Sequence, residues 1–266
     1  MNYLLKYGLE INPFIKNNND IKLELENYKQ ITFRLNHLEE TKGIGLITGE
    51  PGLGKTTTIR HWAKGLNSNL YKVIYIAHST VTVHEFYREL CEKLGLEEHF
   101  SKRKNLINIQ DEIKRLWIEK KITPVIIIDE ANYLPSSILN DLKIILNFDM
   151  DSKEPYILLL VGQNPIRNSL NMKANEALKQ RISMNYIMSG MGKEETRRYI
   201  DDKLKLAGLT QQIITDEAYN VIIGNSNGVP RKINQIMDKA LLLLENKKLN
   251  IIDGDTMMEA IDETTI

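Results

Sequence analysis

The sequence is poor in cysteine, since Cys91 is the single one among 266 residues. One cysteine cannot form an intramolecular disulfide, and a Cys-rich zinc site needs several. Neither sign of charge is in excess, because 35 Lys and Arg residues balance 35 Asp and Glu residues. This balance excludes a uniformly basic nucleic-acid coat and an acidic tail protein, although a local basic patch is still possible. We therefore expect a protein of a reducing, cytoplasmic compartment.

Long hydrophobic runs are absent as well. The densest apolar stretches, residues 125–128 and 156–161, are far shorter than the roughly 20 residues that cross a bilayer. The N-terminus lacks the basic start, long apolar stretch and cleavage site of a secretory signal. Apolar residues make up 42% of the chain and charged residues 26%, which excludes collagenous and wholly disordered proteins. We expect a soluble protein with no membrane partner.

The chain contains apolar runs rich in β-branched residues, separated by stretches with helical periodicity. Ile109, Ile113 and Leu116, for example, fall on one face of a helix. This alternation is typical of a parallel sheet covered by helices, so the sequence predicts an α/β fold with five parallel strands. The predicted strands are residues 43–48, 71–77, 124–129, 156–161 and 183–188.

After Gly190 the strand pattern disappears. Helical segments continue, interrupted at Gly208, at residues 224–230 and at Gly254. This change predicts a nucleotide-binding domain over residues 1–190 and a small all-helical lid domain over residues 191–266.

A phosphate-binding motif follows the first predicted strand. Residues 49–56, GEPGLGKT, fit the P-loop pattern G-x-x-x-x-G-K-[ST]. The glycines let backbone N–H groups turn toward phosphate oxygens, and the helix that begins near Lys55 adds the positive end of its dipole. Lys55 is expected to neutralise the β and γ phosphates of ATP, and Thr56 to bind Mg²⁺. The predicted nucleotide contacts are Gly49, Pro51, Gly52, Leu53, Gly54, Lys55, Thr56 and Thr57.

An acidic pair closes the third predicted strand. Asp129 is expected to hold Mg²⁺ through water, and Glu130 to orient and polarise the water that attacks the γ-phosphate. An Asp-Glu pair after a buried strand is more often a helix N-cap with a solvated first turn. Its pairing with an upstream P-loop favours the catalytic interpretation.

Taken together, these motifs resemble the AAA+ ATPases. The shared features are the P-loop, the D-E pair, a polar residue at the end of the next strand, an Arg before the fifth strand and G-x-P-R in a helical lid. The segments YGLEINPF, LLLVGQN, LKQRI and GKEETRRYIDDKLKLAG resemble two bacterial groups in particular. One group is the ExeA-type ATPases of general secretion, and the other is the TnsC, TniB and IstB-like ATPases that regulate DNA transposition.

The resemblance implies roles for two further positions, a sensor residue and an arginine finger. Gln163, with Asn164 beside it, matches the sensor 1 position, which reads the γ-phosphate; a plain strand-to-helix turn is the alternative. Arg181 matches the arginine finger that reaches the nucleotide of a neighbouring subunit. Arg167 is a second candidate for that finger, and a solvated helix-end Arg remains possible.

Two other positions follow from the same resemblance. Arg231 matches sensor 2, the lid arginine that closes on the nucleotide of its own subunit, and Pro230 suits the first turn of a helix. An exposed helix start is the alternative. The opening segment within residues 1–40 is expected to pack beside the adenine, where Pro13 and Phe14 form an apolar wall or cover the edge of a core.

Such ATPases couple ATP to a partner by assembling, and the transposition regulators form ATP-dependent rings or filaments on double-stranded DNA that direct a transposase. ExeA-type proteins typically continue into a membrane segment and a peptidoglycan-binding region, whereas this sequence stops at Ile266. The resemblance therefore favours a homo-oligomer that binds duplex DNA and a transposase, over a secretion-type ATPase that remodels a protein complex.

The densest basic run, Lys102, Arg103 and Lys104, is the first candidate for DNA contact. Three basic residues in a row are more often a solvated loop. Lys173 and the segment at residues 78–85 are weaker candidates.

Overall fold

The computed structural model describes residues 7–15, 23, 25–77 and 82–264. The strands are β1 (Gly43–Gly49), β2 (Tyr71–Ile76), β3 (Thr123–Ile128), β4 (Ile157–Gly162) and β5 (Ile182–Met188). The helices of the first part are α1 (Glu26–Thr41), α2 (Lys55–Gly65), α3 (Val83–Leu94), α4 (Lys102–Ile118), α5 (Ser136–Ile145), α6 (Pro165–Asn171) and α7 (Glu176–Gln180). Those that follow are α8 (Lys193–Leu206), α9 (Asp216–Ser226), α10 (Pro230–Asn246) and α11 (Gly254–Asp262).

The chain folds into two compact units. The first, here called the sheet unit, consists of Gln30–Pro51 and Lys55–Met188. The second, the helical unit, consists of the described residues within 1–29, together with 52–54 and those from 189 onward. The break after Met188 lies close to the predicted boundary at residue 190, but the N-terminal residues group with the helical unit.

The five strands of the sheet unit form one sheet in the order β2-β3-β4-β1-β5, and every pairing is parallel. Each residue of β1, β3 and β4 is buried, as expected for inner strands covered on both faces. The edge strand β2 instead alternates toward its end, with Ile74 and Ile76 buried and Tyr75 exposed. The carboxyl ends of β1, β3 and β4 therefore meet at one edge of the sheet, where ligands bind in open α/β folds.

One face of the sheet is packed by α3, α4 and α5. Helix α3 starts with a capping box, in which Thr82 and Glu85 satisfy each other's backbone N–H groups. Its buried face includes Phe86, Leu90 and Cys91, all of which have no exposed surface. Burial raises the pKa of the Cys91 thiol to about 11, so the sulfur is protonated and unreactive at neutral pH.

The helical unit has its own core, and the N-terminal segment is part of it. Tyr7, Leu9 and Phe14 are buried in the same cluster as the apolar faces of α8 to α11. The Tyr7 hydroxyl donates to the carbonyl of Leu249 at 2.7 Å. Phe14 thus belongs to the core of this unit, and Pro13 beside it is buried. The packing of the opening segment beside the adenine stays a prediction.

A buried lysine links that N-terminal segment to α8. Lys203 is 2% exposed, and its Nζ donates to the carbonyl of Pro13 at 2.8 Å and to Oδ1 of Asn234 at 3.3 Å. The ammonium also lies 5.5 Å from the ring centre of Phe14 and 5.3 Å from that of Tyr199. Burial lowers the pKa of Lys203 to about 8.

Among the helices described here, none combines the length and the apolar character that a membrane span requires.

Candidate nucleotide-binding site

The P-loop leaves the sheet at the end of β1 and turns into α2 at Lys55. Gly52 and Gly54 have φ values of 87° and 96°, in the left-handed region that favours glycine. Side chains at these two positions would strain the loop. The pattern of glycines in the sequence is therefore explained by the turn that connects the strand to the helix.

Lys55 lies inside this turn. It is 6% exposed, and its Nζ donates to the carbonyl of Gly49 at 2.8 Å and to that of Glu50 at 2.9 Å. These bonds hold the ammonium at the N-terminal end of α2, where the helix dipole is also positive. The sequence-predicted Lys thus lies in an electropositive turn that suits an anionic ligand.

Side-chain and backbone donors hold the carboxylate of Asp129, directly after β3. Thr56 donates its hydroxyl to Oδ2 at 2.7 Å, and Tyr75 donates its phenol to the same oxygen at 2.8 Å. The backbone N–H of Glu130 donates to Oδ1 at 2.9 Å. Asp129 is 5% exposed. The structure therefore brings the predicted metal ligands Thr56 and Asp129 together.

Tyr75 was not among the sequence-based candidates. Burial and the neighbouring Asp129 carboxylate raise the pKa of its phenol well above the ordinary value, so the hydroxyl keeps its proton and acts as a donor. Nothing local in the sequence marks this residue. Its role depends on the parallel pairing of β2 with β3, which places Tyr75 opposite Ile127 in the register.

Glu130 has an unusual backbone. Its φ of 51° and ψ of 36° lie in the left-handed region, which a residue with a Cβ adopts at a cost. The bond from its N–H to Asp129 supports this conformation, and the chain then enters a 3₁₀ turn at Ala131–Tyr133. Glu130 is the N-cap residue of that turn, but its side chain makes no capping hydrogen bond. The carboxylate predicted to activate water is thus carried by a sharp turn at the end of β3.

A side chain from that turn fixes the end of β4. The backbone N–H of Gln163 donates to Oδ1 of Asn132 at 2.7 Å. A Cβ on Gly162 would lie 2.6 Å from the same oxygen, so only glycine leaves room for this contact. Asn132 was missed by sequence reasoning, and it holds the predicted sensor residue beside the end of β3.

The two candidate arginine fingers both make bonds within the sheet unit. Arg181 donates to the carbonyl of Leu146 at 2.8 Å and to the hydroxyl of Tyr156 at 2.9 Å. Arg167 donates to Oδ1 of Asn185 at 2.9 Å. Both arginines are half-buried. Their role in a neighbouring site stays a prediction.

Arg231 lies in the first turn of α10, directly after Pro230. Its backbone N–H donates to the carbonyl of Gly52 at 3.3 Å, and a Cβ on Gly52 would lie 2.8 Å from the Cβ of Arg231. Both residues belong to the helical unit, as defined by its contacts. Gly52 therefore needs to lack a side chain for two reasons, its left-handed φ and the close contact with Arg231.

The three residues of the basic run at the start of α4 differ in their contacts. Lys102 binds the carboxylate of Asp141, with 2.6 Å between Nζ and Oδ2. Arg103 and Lys104 are exposed, and Phe100, just before the helix, is 98% exposed. Lys173 is also exposed, whereas residues 78–81 of the other candidate segment lie outside the described residues.

Comparison with known proteins gives one family and several relatives. The AAA domain family matches residues 37–170. General secretion pathway protein A of Aeromonas hydrophila is 27% identical over 270 residues, covering 99% of this chain and 49% of that protein. The ATP-dependent target DNA activator B of Escherichia phage Mu is 29% identical over 123 residues, covering 46% of this chain and 37% of that protein. The chain thus spans about half the length, or less, of these curated relatives.

Among solved structures, Cdc6p from Pyrobaculum aerophilum is similar with a TM-score of 0.70. The two chains are 16% identical, and the match covers 96% of this chain and 71% of that one. Such a likeness concerns the fold alone. The predicted fold, a five-stranded parallel sheet with flanking helices followed by a helical region, is confirmed.

Proposed function

Since the chain belongs to the AAA domain family and so carries an ATPase domain, we propose that it hydrolyses ATP with Mg²⁺ and uses this reaction to regulate DNA transposition. The observation that carries the ATP part is the 2.7 Å bond from Thr56 to Asp129. It joins the P-loop helix to the acidic end of β3, as a site for a metal-bound triphosphate requires. The DNA part rests on the similarity to the phage Mu target DNA activator and on the basic start of α4.

The residues at this centre fit Mg²⁺. A hydroxyl and a carboxylate are hard oxygen ligands, and Mg²⁺ is usually held by one or two such groups together with phosphates and waters. Within the described residues, no group of three or more His, Cys, Asp or Glu side chains could hold a metal by itself. Thr56 and Asp129 would therefore hold the ion together with the nucleotide. Bound Mg²⁺ supplies charge neutralisation at the β and γ phosphates.

The protein's own groups would share the remaining tasks. Lys55 turns from its loop carbonyls to the phosphates, and the loop N–H groups bind their oxygens. Glu130 accepts a proton from the attacking water, and Gln163, anchored through Asn132, orients that water. Arg231 stays the predicted sensor 2 residue. An arginine from a neighbouring subunit, Arg181 or Arg167, would then stabilise the charge of the transferring phosphoryl group.

We expect duplex DNA to contact a basic patch, defined as Phe100, Arg103 and Lys104. Both cations are exposed, whereas Lys102 is bound to Asp141 and contributes less. A fully exposed phenylalanine beside two cations suits a nucleic acid, because phosphates take the charge and a groove can accept the ring. A ring or filament would repeat this patch along the DNA.

The second candidate is a secretion-type ATPase that remodels a protein complex without DNA. It is favoured by the relative from Aeromonas hydrophila, whose similarity extends over 99% of this chain. The two candidates differ in a simple property. Only the first should bind duplex DNA more tightly in ATP than in ADP.

The test is cosedimentation with duplex DNA in ATP and ADP, at low and moderate salt, with the double variant Arg103→Ala/Lys104→Ala. We expect ATP-dependent binding that weakens with salt. The double variant should lose about tenfold in DNA affinity. The slope of log affinity against log salt concentration should also become shallower, by about one for each lost phosphate contact. The double variant Lys114→Ala/Lys120→Ala, near the other end of α4, is the control and should bind as the wild type does. If no DNA binds at either salt concentration, the secretion-type candidate replaces the transposition role.

A further inference from the structure

The carboxylate of Asp129 has a donor that the proposed mechanism does not use. Its Oδ2 accepts a hydrogen bond from the hydroxyl of Thr56, in the first turn of α2, and another from the phenol of Tyr75, on β2. The two bonds are 2.7 and 2.8 Å long. All three residues belong to the sheet unit. The same oxygen is therefore fixed from two separate elements of the fold.

Tyr75 contributes little to the core of the unit. On β2, Ile74 and Ile76 are buried in the main cluster, whereas Val73 and Tyr75 point to the opposite face and are 39% and 42% exposed. An edge position of this kind does not require a large aromatic residue. The most specific contact of the side chain is the hydrogen bond made by its hydroxyl.

The backbone holds this hydroxyl in register with the carboxylate. β2 pairs with β3 along their whole length, and the N–H of Asp129 extends the ladder by donating to the carbonyl of Ile76 at 2.9 Å. Because the backbone of Asp129 is tied to β2 in this way, the phenol of Tyr75 meets the same carboxylate without a mobile loop in between. The position of Tyr75 is therefore as well defined as the sheet itself.

We propose that Tyr75 is a positioning residue for the metal-bound nucleotide, acting through Asp129. Its hydroxyl limits the rotation of the carboxylate and keeps Oδ2 directed at Thr56, so that both groups are oriented before the metal and ATP arrive. A hydrogen bond to a charged acceptor is stronger than one between two neutral groups, so the phenol restrains the carboxylate effectively. This inference rests on the proposed Mg²⁺ site, and it concerns the metal-dependent part of nucleotide affinity.

The experiment compares the wild type with Tyr75→Phe and with Tyr71→Phe. Tyr71 is a matched control, since it lies on the same strand and its hydroxyl faces Lys42 at 3.4 Å, away from Asp129. The affinity for a fluorescent ATP analogue is measured in EDTA and in saturating Mg²⁺. We expect Tyr75→Phe to reduce the gain in affinity due to Mg²⁺ by about fivefold, with unchanged affinity in EDTA. Tyr71→Phe should keep the full gain.

The outcomes separate this inference from the function on which it rests. If the wild type gains affinity in Mg²⁺ and Tyr75→Phe gains as much, the positioning role is refuted while the Mg²⁺ site stands. If Tyr75→Phe loses the same fraction of its ATP affinity in EDTA and in Mg²⁺, the positioning role is also refuted, because such a loss indicates a general disturbance of the fold. If the wild type itself shows no gain from Mg²⁺, the proposed metal site fails as well.

Discussion

At the scale of single residues, the end of β3 is the most constrained part of the site. Asp129 accepts hydrogen bonds from Thr56, Tyr75 and the backbone of Glu130. Glu130 adopts a left-handed backbone that leaves its carboxylate on a sharp turn. A strained residue with a charged side chain at such a place is typical of catalytic positions. The P-loop and the D-E pair could be recognised from the sequence because the residues of each motif lie next to one another in the chain.

The residues that support these groups could not be recognised in the same way. Tyr75 and Asn132 make hydrogen bonds to residues that follow other strands, Asp129 after β3 and Gln163 after β4. Their importance depends on the strand order β2-β3-β4, which no local pattern contains. Similarly, the ion pair of Lys102 with Asp141 joins positions far apart in the chain. The sequence alone therefore does not distinguish Lys102 from Arg103 and Lys104.

A prediction at this scale concerns Glu130. Glu130→Gln keeps the shape of the side chain but removes the base, so we expect ATP binding to persist and the hydrolysis rate to fall by about 100-fold or more. Phosphate release and binding of a fluorescent ATP analogue measure the two effects. Lys55→Ala should instead lose ATP binding, and the exposed Glu40→Gln should behave as the wild type. Normal hydrolysis by Glu130→Gln would assign the base to another residue.

At the scale of elements, the strands were predictable to within one or two residues. The fourth strand, for instance, was predicted over 156–161 and is found at Ile157–Gly162. Buried parallel strands are continuous apolar runs, and this signal is strong and local. The grouping of the N-terminal segment was not predictable, because Tyr7 and Phe14 find their partners in helices some 200 residues later.

Lys203 allows a prediction for the helical unit. The folded unit releases this proton near pH 8, whereas the unfolded chain keeps it until about 10.5. Between these values the unfolded state binds more protons, so the free energy of unfolding rises with pH, by up to about 3 kcal/mol. Below pH 8 Lys203 is charged in the folded unit, so the full free-energy cost of burying this charge still lowers the stability.

The measurement is urea unfolding at several pH values for the wild type and Lys203→Met. The wild type should gain stability between pH 8 and 10.5 relative to the variant, which lacks the titrating group. Lys205→Met, an exposed position on the same helix, is the control and should follow the wild type. Parallel pH profiles for the wild type and Lys203→Met would contradict the prediction.

At the scale of the whole molecule, the proposed activity depends on more than one copy. Arg181 and Arg167 are engaged within their own sheet unit, so a finger that serves a neighbour must exchange these bonds for contacts with phosphate. Such an exchange would couple assembly to nucleotide binding. The proposed ring or filament is therefore best tested with mixtures of variants.

We expect mixtures of Arg181→Ala and Glu130→Gln subunits to hydrolyse ATP faster than either variant alone. An Arg181→Ala subunit keeps its own base and can receive a finger from a Glu130→Gln neighbour. The mixture of Lys55→Ala with Glu130→Gln is the control, since both changes disable the same half of a site. Thermal melting checks Arg181→Ala, which also loses its bonds to Leu146 and Tyr156.

Mixtures of Arg167→Ala with Glu130→Gln subunits decide which of the two arginines, Arg181 or Arg167, is the finger. Recovery with only one of them identifies the finger. If neither mixture recovers activity, the shared site is refuted.

The burial of Cys91 in α3 has a practical consequence for such experiments. Its thiol is fully covered and its pKa is raised to about 11, so maleimide reagents should leave the native chain unlabelled. A cysteine introduced on the surface of α4 outside the basic patch, for example at the exposed Ile107, would then be the one position that carries a fluorophore or a spin label. The proposed binding of DNA at α4 could then be followed in real time, without first removing the natural cysteine.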